Sequence, residues 1–254
     1  MSSPTWTHAA LSSEHFQLDC MAFRIVEAQH RISTLKLADS LGEQELLEKI
    51  VEGTKPPIPE PCRGLHYLLL TPFRYPPRFD SRFRKAGSED GVFYASETPE
   101  TAVAELSFYR LLFFSESPDT PLPTNPGDYT CFEVHLKSRA ALDMTRKPFG
   151  DTPDLWSRIQ DYSPCHALAD AARKAGTEVI SYLSVRDPNK GRNFAVLSCT
   201  AFARKDPVSI QTWRIQLRLD GALATCEAPR LSLKFDLAGF LRDTRLIPFA
   251  KRSA

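Results

Sequence analysis

Between Leu68 and Tyr109 the sequence LLLTPFRYPPRFDSRFRKAGSEDGVFYASETPETAVAELSFY leaves the backbone few options. Two apolar runs, HYLLLTPF (66–73) and GVFYAS (91–96), are bounded by breakers and read as buried strands. Between them, YPPRFDSRFRKAGSEDG is long, polar and broken by proline, the kind of ordered loop that carries function. Thr98 is placed to cap a helix with Pro99 at its first position and Glu100 in its first turn, so a helix is expected over 99–113. On that helix Glu105 shares a face with Ala102, Leu106, Tyr109 and Phe113, which puts a carboxylate at the edge of an apolar stripe.

The rest of the chain is organised around this stretch. Residues 20–52 read as helical, with irregular apolar recurrence at Phe23, Val26, Ile32, Leu35, Leu37 and Leu41 and a clearer stripe at Leu46, Leu47, Ile50 and Val51. Gly53 supplies a helix stop, and KPPIPEPCRG (55–64) reads as an extended connector. YTCFEVHLKS (129–138) alternates as a half-buried strand does. Helices are expected over 153–161 and 164–175, the second capped by Ser163 and ended by Gly176. Strands are expected at 178–184, 193–203, 209–219 and 231–237. The organisation is therefore a helical N-terminal extension and connector (1–64), a core (65–205) and a C-terminal β extension docked on it (206–254).

Bulk composition excludes several classes. A net charge of +1 over 254 residues gives no general attraction to nucleic acid or anionic membrane. The first twenty residues lack a basic start and an apolar centre, and no run approaches the roughly 18 apolar residues of a membrane helix. Six scattered cysteines without CxxC spacing read as free, mostly buried thiols. A cytoplasmic protein is the expectation. The six histidines show no metal spacing, and there is no GxSxG elbow or P-loop, so no metal is expected.

Arginines at 74, 82 and 84 suit an anionic phosphate ligand, because a guanidinium donates paired hydrogen bonds to its oxygens. Each arginine alone would read as a surface charge. Tyr94, at the end of an apolar run, would read as a core aromatic, or as a ring that stacks on a base. Tyr75 would form a second wall. The loop SVRDPNKGRN has ordinary turn chemistry at Asp187, Pro188, Asn189 and Gly191 whatever the function. Ser184 has no base nearby in sequence and reads as a binding group, not a nucleophile.

FRYPP, SRFR, GVFYAS, the ETPETAVAE helix and the later SVRDPNKGRN together resemble the RES family, over roughly Leu65 to Ala203. The family is named for an arginine, a glutamate and a serine, and the matching positions are Arg74, Glu105 and Ser184. Arg82 matches the arginine of the family's glycine-arginine-tryptophan-asparagine run, Arg84 stands where asparagine is usual, and Tyr94 matches the strand tyrosine. The resemblance implies an α+β fold, an ADP-ribosyltransferase-like split antiparallel β core flanked by helices. It implies NAD as consumed co-substrate, with Glu105, Arg74 and Ser184 catalytic and Arg74, Tyr75, Arg82, Tyr94, Ser184, Arg186 and Asn193 binding it. It also implies a toxin restrained by a cognate antitoxin, often one with a helix-turn-helix portion, that occludes the site. ADP-ribose would pass to a host protein, such as a ribose-phosphate pyrophosphokinase. The alternatives are NAD hydrolysis or phosphorolysis, and a nonenzymatic module that grips nucleotides or a single strand.

Overall fold

A computed structural model describes residues 6–28 and 39–253. The backbone of the fold is β3 (Gly127–Asp143), the predicted 129–138 strand extended at both ends. Its alternation buries Phe132, Val134 and Leu136 on one face. After the short helix α1 (His8–Ser13), β1 (Phe16–Glu27) runs antiparallel to β3, from Phe16 opposite Ala141 to Glu27 opposite Tyr129.

Three short strands complete a ring: β2 (Phe93–Ser96), β4 (Val179–Leu183) and β5 (Arg192–Val196). The pairings run β1–β2–β5–β4–β3 and return to β1. All are antiparallel except β3–β4, where Ala141 faces Val179. A parallel pair needs a crossover, and the chain makes it through α5 (Pro153–Trp156) and α6 (Ser163–Lys174). On its other side β3 carries an antiparallel meander of β6 (Ser209–Arg218), β7 (Gly221–Cys226) and β8 (Leu231–Asp236). The expected α+β class, with a mainly antiparallel β core flanked by helices, holds.

The long helix α4 (Pro99–Glu116) has the cap expected of it, since Thr98 Oγ1 accepts from the Thr101 amide at 3.2 Å. It buries Val103, Phe108, Leu111 and Leu112 against Trp213 and Ile215 of β6 and Phe249 near the C-terminus. A fully buried side chain of this size stabilises by about 1.5–3 kcal/mol, so this interface locks α4 to the sheet.

Several expectations are corrected. HYLLLTPF is not a strand: Tyr67–Arg74 form the helix α3, whose start is capped by His66 Nδ1 accepting from the Leu68 amide. A short buried apolar run looks alike in both states, and here Leu69, Leu70 and Phe73 need one continuous face to pack on Phe93 and Phe202. The proposed 20–52 helix divides. Residues 16–27 are β1, residues 29–38 lie outside the described residues, and only α2 (Leu41–Thr54) is helical. β1 and β6–β8, read as extensions, are strands of the same sheet as the core.

Smaller elements differ too. The expected 153–161 helix is only α5, and Ser163 opens α6 without capping it. The expected 193–203 strand stops at Val196 and becomes a 3-10 turn at Cys199–Ala201. β7 carries no strand signature in the sequence, because GALATC has neither bulk nor alternation. Its Gly221 sits at φ +143°, where a Cβ would collide with the Phe235 carbonyl. Finally, Cys62 and Cys199 form a disulfide with their Cα atoms 5.5 Å apart, against the expectation of six free thiols. It ties the proline-rich connector to the turn after β5.

Candidate active site

One rung of the ring carries much of the site. Phe23 of β1 pairs with Ser96 of β2, Ser96 with Asn193 of β5, and Asn193 with Tyr182 of β4. Residues directly opposite one another share a sheet face, and all four line the same cleft of about 450 Å³. Ligand clefts commonly measure about 300–1,000 Å³.

Helix α4 lays Glu105 across this rung. Glu105 Oε1 accepts from Ser184 Oγ at 2.5 Å and from Asn193 Nδ2 at 2.7 Å. Asn193 is oriented in turn by Ser96 Oγ, which donates to its Oδ1 at 2.7 Å. Ser184 Oγ accepts the amides of Arg186 (3.2 Å) and Asp187 (2.8 Å), so its proton is left for the carboxylate. Asp187 Oδ2 accepts from Thr101 Oγ1 and the Gly191 amide, which straps the loop between β4 and β5 to the first turn of α4. A Cβ on Gly191 would overlap Thr101 Oγ1, so this approach requires glycine. Loss of hydration raises the Glu105 pKa, opposed by the Ser184 and Asn193 hydrogen bonds and by the field of Arg186.

The remaining walls are cationic and aromatic. Five arginines (24, 78, 82, 84 and 186) line the cleft against two carboxylates, Asp80 and Glu105. Arg24 Nη1 donates to the Tyr94 carbonyl at 2.8 Å, and Arg84 Nη1 donates to the Pro72 carbonyl at 3.3 Å. Tyr94, Tyr109, Tyr162 and Tyr182 supply ring surface. The Tyr94 hydroxyl also organises the SRFR turn, lying 2.9 Å from Ser81 Oγ and accepting from the Phe83 amide at 3.0 Å.

Of the residues singled out from sequence, Glu105, Arg82, Tyr94, Arg186 and Asn193 line the cleft. Ser184 stands directly behind Glu105, only 3% exposed, and is outside the lining. Arg74 and Tyr75 are outside the cleft. As the last residue of a helix instead of a strand, Arg74 turns toward α2 and the connector, with Nη1 2.7 Å from Glu52 and Nε 2.6 Å from the Pro56 carbonyl. Tyr75 is exposed, with the Arg74 guanidinium 5.9 Å from its ring centre.

Arg82 and Arg186 reach the cleft with their donors already engaged. Arg82 donates to the carbonyls of Trp156 (2.5 Å) and Arg158 (3.2 Å). Arg186 pairs with Asp243 at 2.6 Å, donates to the Ile159 carbonyl at 2.6 Å and covers the Phe108 ring.

Sequence reasoning missed Arg24, because a strand was read as a helix. It also passed over Tyr109 and Tyr182, for which signals existed. Tyr109 lies one helical turn from Glu105, and Tyr182 lies two residues before Ser184 on the same strand run. Among the described residues no group of three His, Cys, Asp or Glu side chains could hold a metal, and no helix is long and apolar enough to cross a membrane.

Fold and cleft thus define an α+β protein with a hydrogen-bonded glutamate set among arginines and tyrosines. The RES domain matches residues 58–218, more than half of the chain, and the chain belongs to the RES domain family. No curated protein matches it. Among solved structures it is similar to a chain of the "Crystal structure of the M.tuberculosis MbcT-MbcA toxin-antitoxin complex". That similarity has 14% identity and a TM-score of 0.45, covering 92% of this chain and 94% of that one.

Proposed function

We propose that this chain cleaves the nicotinamide–ribose bond of NAD and transfers the ADP-ribose to a protein acceptor. The observation that carries the reading is Glu105, its carboxylate oriented by Ser184 and Asn193 in a cleft walled by arginines and tyrosines. Departure of nicotinamide takes the bonding electron pair onto the ring and leaves oxocarbenium character on the ribose, as in glycoside hydrolysis. A preorganised carboxylate stabilises that charge without reorganising. The acceptor's nucleophile then bonds to the same ribose carbon and loses its proton.

A carboxylate at the centre of the cleft disfavours the rival single-strand-binding reading, since it would repel a phosphate backbone threaded past it. A protein acceptor is supported by the cleft's rim, where Phe79 is 82% and Tyr109 47% exposed. Exposed apolar groups at a site suit a macromolecular partner. Water or phosphate as acceptor would use the same glutamate and deplete NAD instead.

The family resemblance extends the reading to a toxin restrained by an antitoxin that occludes the cleft and competes with NAD. Chromatography of the purified chain incubated with NAD tests the cleavage. Released nicotinamide is expected, and unchanged NAD would end the proposal. Mass spectrometry of cellular proteins after brief expression then separates transfer, which adds one ADP-ribose to a protein, from depletion.

A further inference from the structure

Arg186 shares the cleft with Glu105, and its field acts on that carboxylate. Its backbone amide donates to Ser184 Oγ, the same hydroxyl that donates to Glu105. A buried carboxylate and a guanidinium placed so would ordinarily close a fork on one another. Here the guanidinium turns away. Nη1 donates to Asp243 Oδ2 at 2.6 Å, and Nη2 donates to the Ile159 carbonyl at 2.6 Å and to the Tyr162 hydroxyl at 3.3 Å. The group lies over the Phe108 ring, 4.4 Å from its centre.

Asp243 reaches this point because the C-terminal segment is tied back to α4. Ser115 Oγ, further along the helix that carries Glu105, donates to the Arg245 carbonyl at 2.6 Å. Arg245 Nε and Nη2 donate to the Asp243 carboxylate at 3.0 and 2.7 Å. Gly239 abuts the loop between β4 and β5, where a Cβ would lie 2.9 Å from the Pro188 ring. The bonds form a closed circuit from α4 through Arg245, Asp243, Arg186 and Ser184 back to Glu105. The Arg186 and Asp243 side chains are buried, so water screens their charges little.

We propose that Asp243 is a positioning residue for Glu105: as the counter-ion of Arg186 it withholds that cation, so the glutamate is held by Ser184 and Asn193 and keeps its charge for the cleft. This rests on the proposed role of Glu105. The family match does not supply it, since Asp243 lies beyond residues 58–218. The other charged and titratable groups acting on Glu105 are Arg82, Tyr109 and Tyr182. Arg82 donates to the Trp156 and Arg158 carbonyls, and burial pushes both tyrosines up and keeps them neutral. Of the two cations, Arg186 is the one bonded to Asp243.

The test follows the Glu105 carboxyl carbon of the full chain by NMR across pH, its signal identified with Glu105→Gln. Asp243→Asn keeps volume and an acceptor for Arg186 but removes the charge. The unmasked cation should lower the Glu105 midpoint by about one pH unit. Drawn toward Arg186, the carboxylate should release nicotinamide with a kcat about 10- to 100-fold lower. KM for NAD should be unchanged, because both Arg186 Nη groups are spent within the protein. Arg186→Gln should instead raise the midpoint, and adding Asp243→Asn to it should change nothing further. Arg245→Gln leaves more of the Asp243 charge to Arg186 and should also raise the midpoint. An unmoved midpoint in folded Asp243→Asn, or the same shift with and without Arg186, would overturn the proposal, the second by showing a general loosening of the C-terminal segment. If Asp243→Asn does not fold, an unmoved midpoint in Arg245→Gln overturns it as well. The stated shifts in a chain whose wild type releases no nicotinamide would leave the Asp243 linkage standing and remove the cleavage reading.

Discussion

Ser184 donates its hydroxyl proton to Glu105 Oε1 at 2.5 Å while accepting the amides of Arg186 and Asp187, so one oxygen joins the loop after β4 to helix α4. The serine is buried behind the glutamate, and its hydrogen bond orients the carboxylate. Ser184→Ala removes a hydrogen bond that favours the ionised carboxylate and leaves two amides unpaired. Activity should fall about 10- to 100-fold, with a larger effect on kcat than on KM if the bond matters most in the transition state. An unchanged kcat would show that Asn193 alone suffices to hold Glu105.

The burial of Glu105 has a pH consequence. Its pKa is raised, so the ionised form that the proposed chemistry requires is lost at a higher pH than for an ordinary glutamate. The acid limb of kcat/KM should lie above the usual carboxylate range, and Ser184→Ala should move it higher still. The stability sign is opposite to that of a salt-bridged acid. A raised folded pKa makes the ionised group destabilising above that pKa, and the loss is relieved as pH falls through it. Glu105→Gln should therefore be more stable than wild type at neutral pH, with the difference shrinking in acid. Thermal melts across pH read this directly.

Asp243 lies outside the matched family span yet holds the site together. It pairs with Arg186 at 2.6 Å and with Arg245 at 2.7 Å, and the Arg186 and Asp243 side chains are 4% and 2% exposed. Asp243→Ala strands a buried guanidinium, which costs about 3–5 kcal/mol. Denaturant melts should show that loss, and Asp243→Asn should lose less. Burial opposes the Asp243 charge, but the Arg245 hydrogen bonds and the Arg186 field outweigh it and lower the pKa. The stability this carboxylate contributes is thus present above its unfolded pKa and fades as pH drops through the lowered value.

Tyr94→Phe keeps the ring but releases Ser81 and the Phe83 amide. The lost bonds should cost about 1–3 kcal/mol, and the loosened SRFR turn should raise KM more than it lowers kcat. A KM equal to wild type would show that the Tyr94 hydroxyl does not shape the cleft for its ligand.

Legibility in the sequence followed the range of the interaction. Thr98, Pro99 and Glu100 announce α4 within one turn, and the alternation of Thr130, Phe132, Val134 and Leu136 announces β3. Glu105 on α4 and Asn193 on β5 were legible through the family resemblance, carried by the runs ETPETAVAE and SVRDPNKGRN. β1 was not, since its partner β3 lies more than a hundred residues away and its faces are only partly covered. That error hid Arg24, and matching Arg74 to the family's arginine assigned it to a cleft it does not line, because it ends α3 and turns to Glu52 and the Pro56 carbonyl. The Cys62–Cys199 bridge, with a sequence separation of 137, has no local signature at all.

In the proposed reaction Glu105 stabilises the cationic state formed when NAD loses nicotinamide. The most direct measurement is the single-turnover rate of nicotinamide release by wild type and by Glu105→Gln, each verified as folded and each saturated with NAD. The amide preserves size and hydrogen bonding and removes only the charge, so the rate should drop by about 10²–10³ with NAD affinity little changed. Equal rates from the two folded proteins would remove the Glu105 charge from the chemistry.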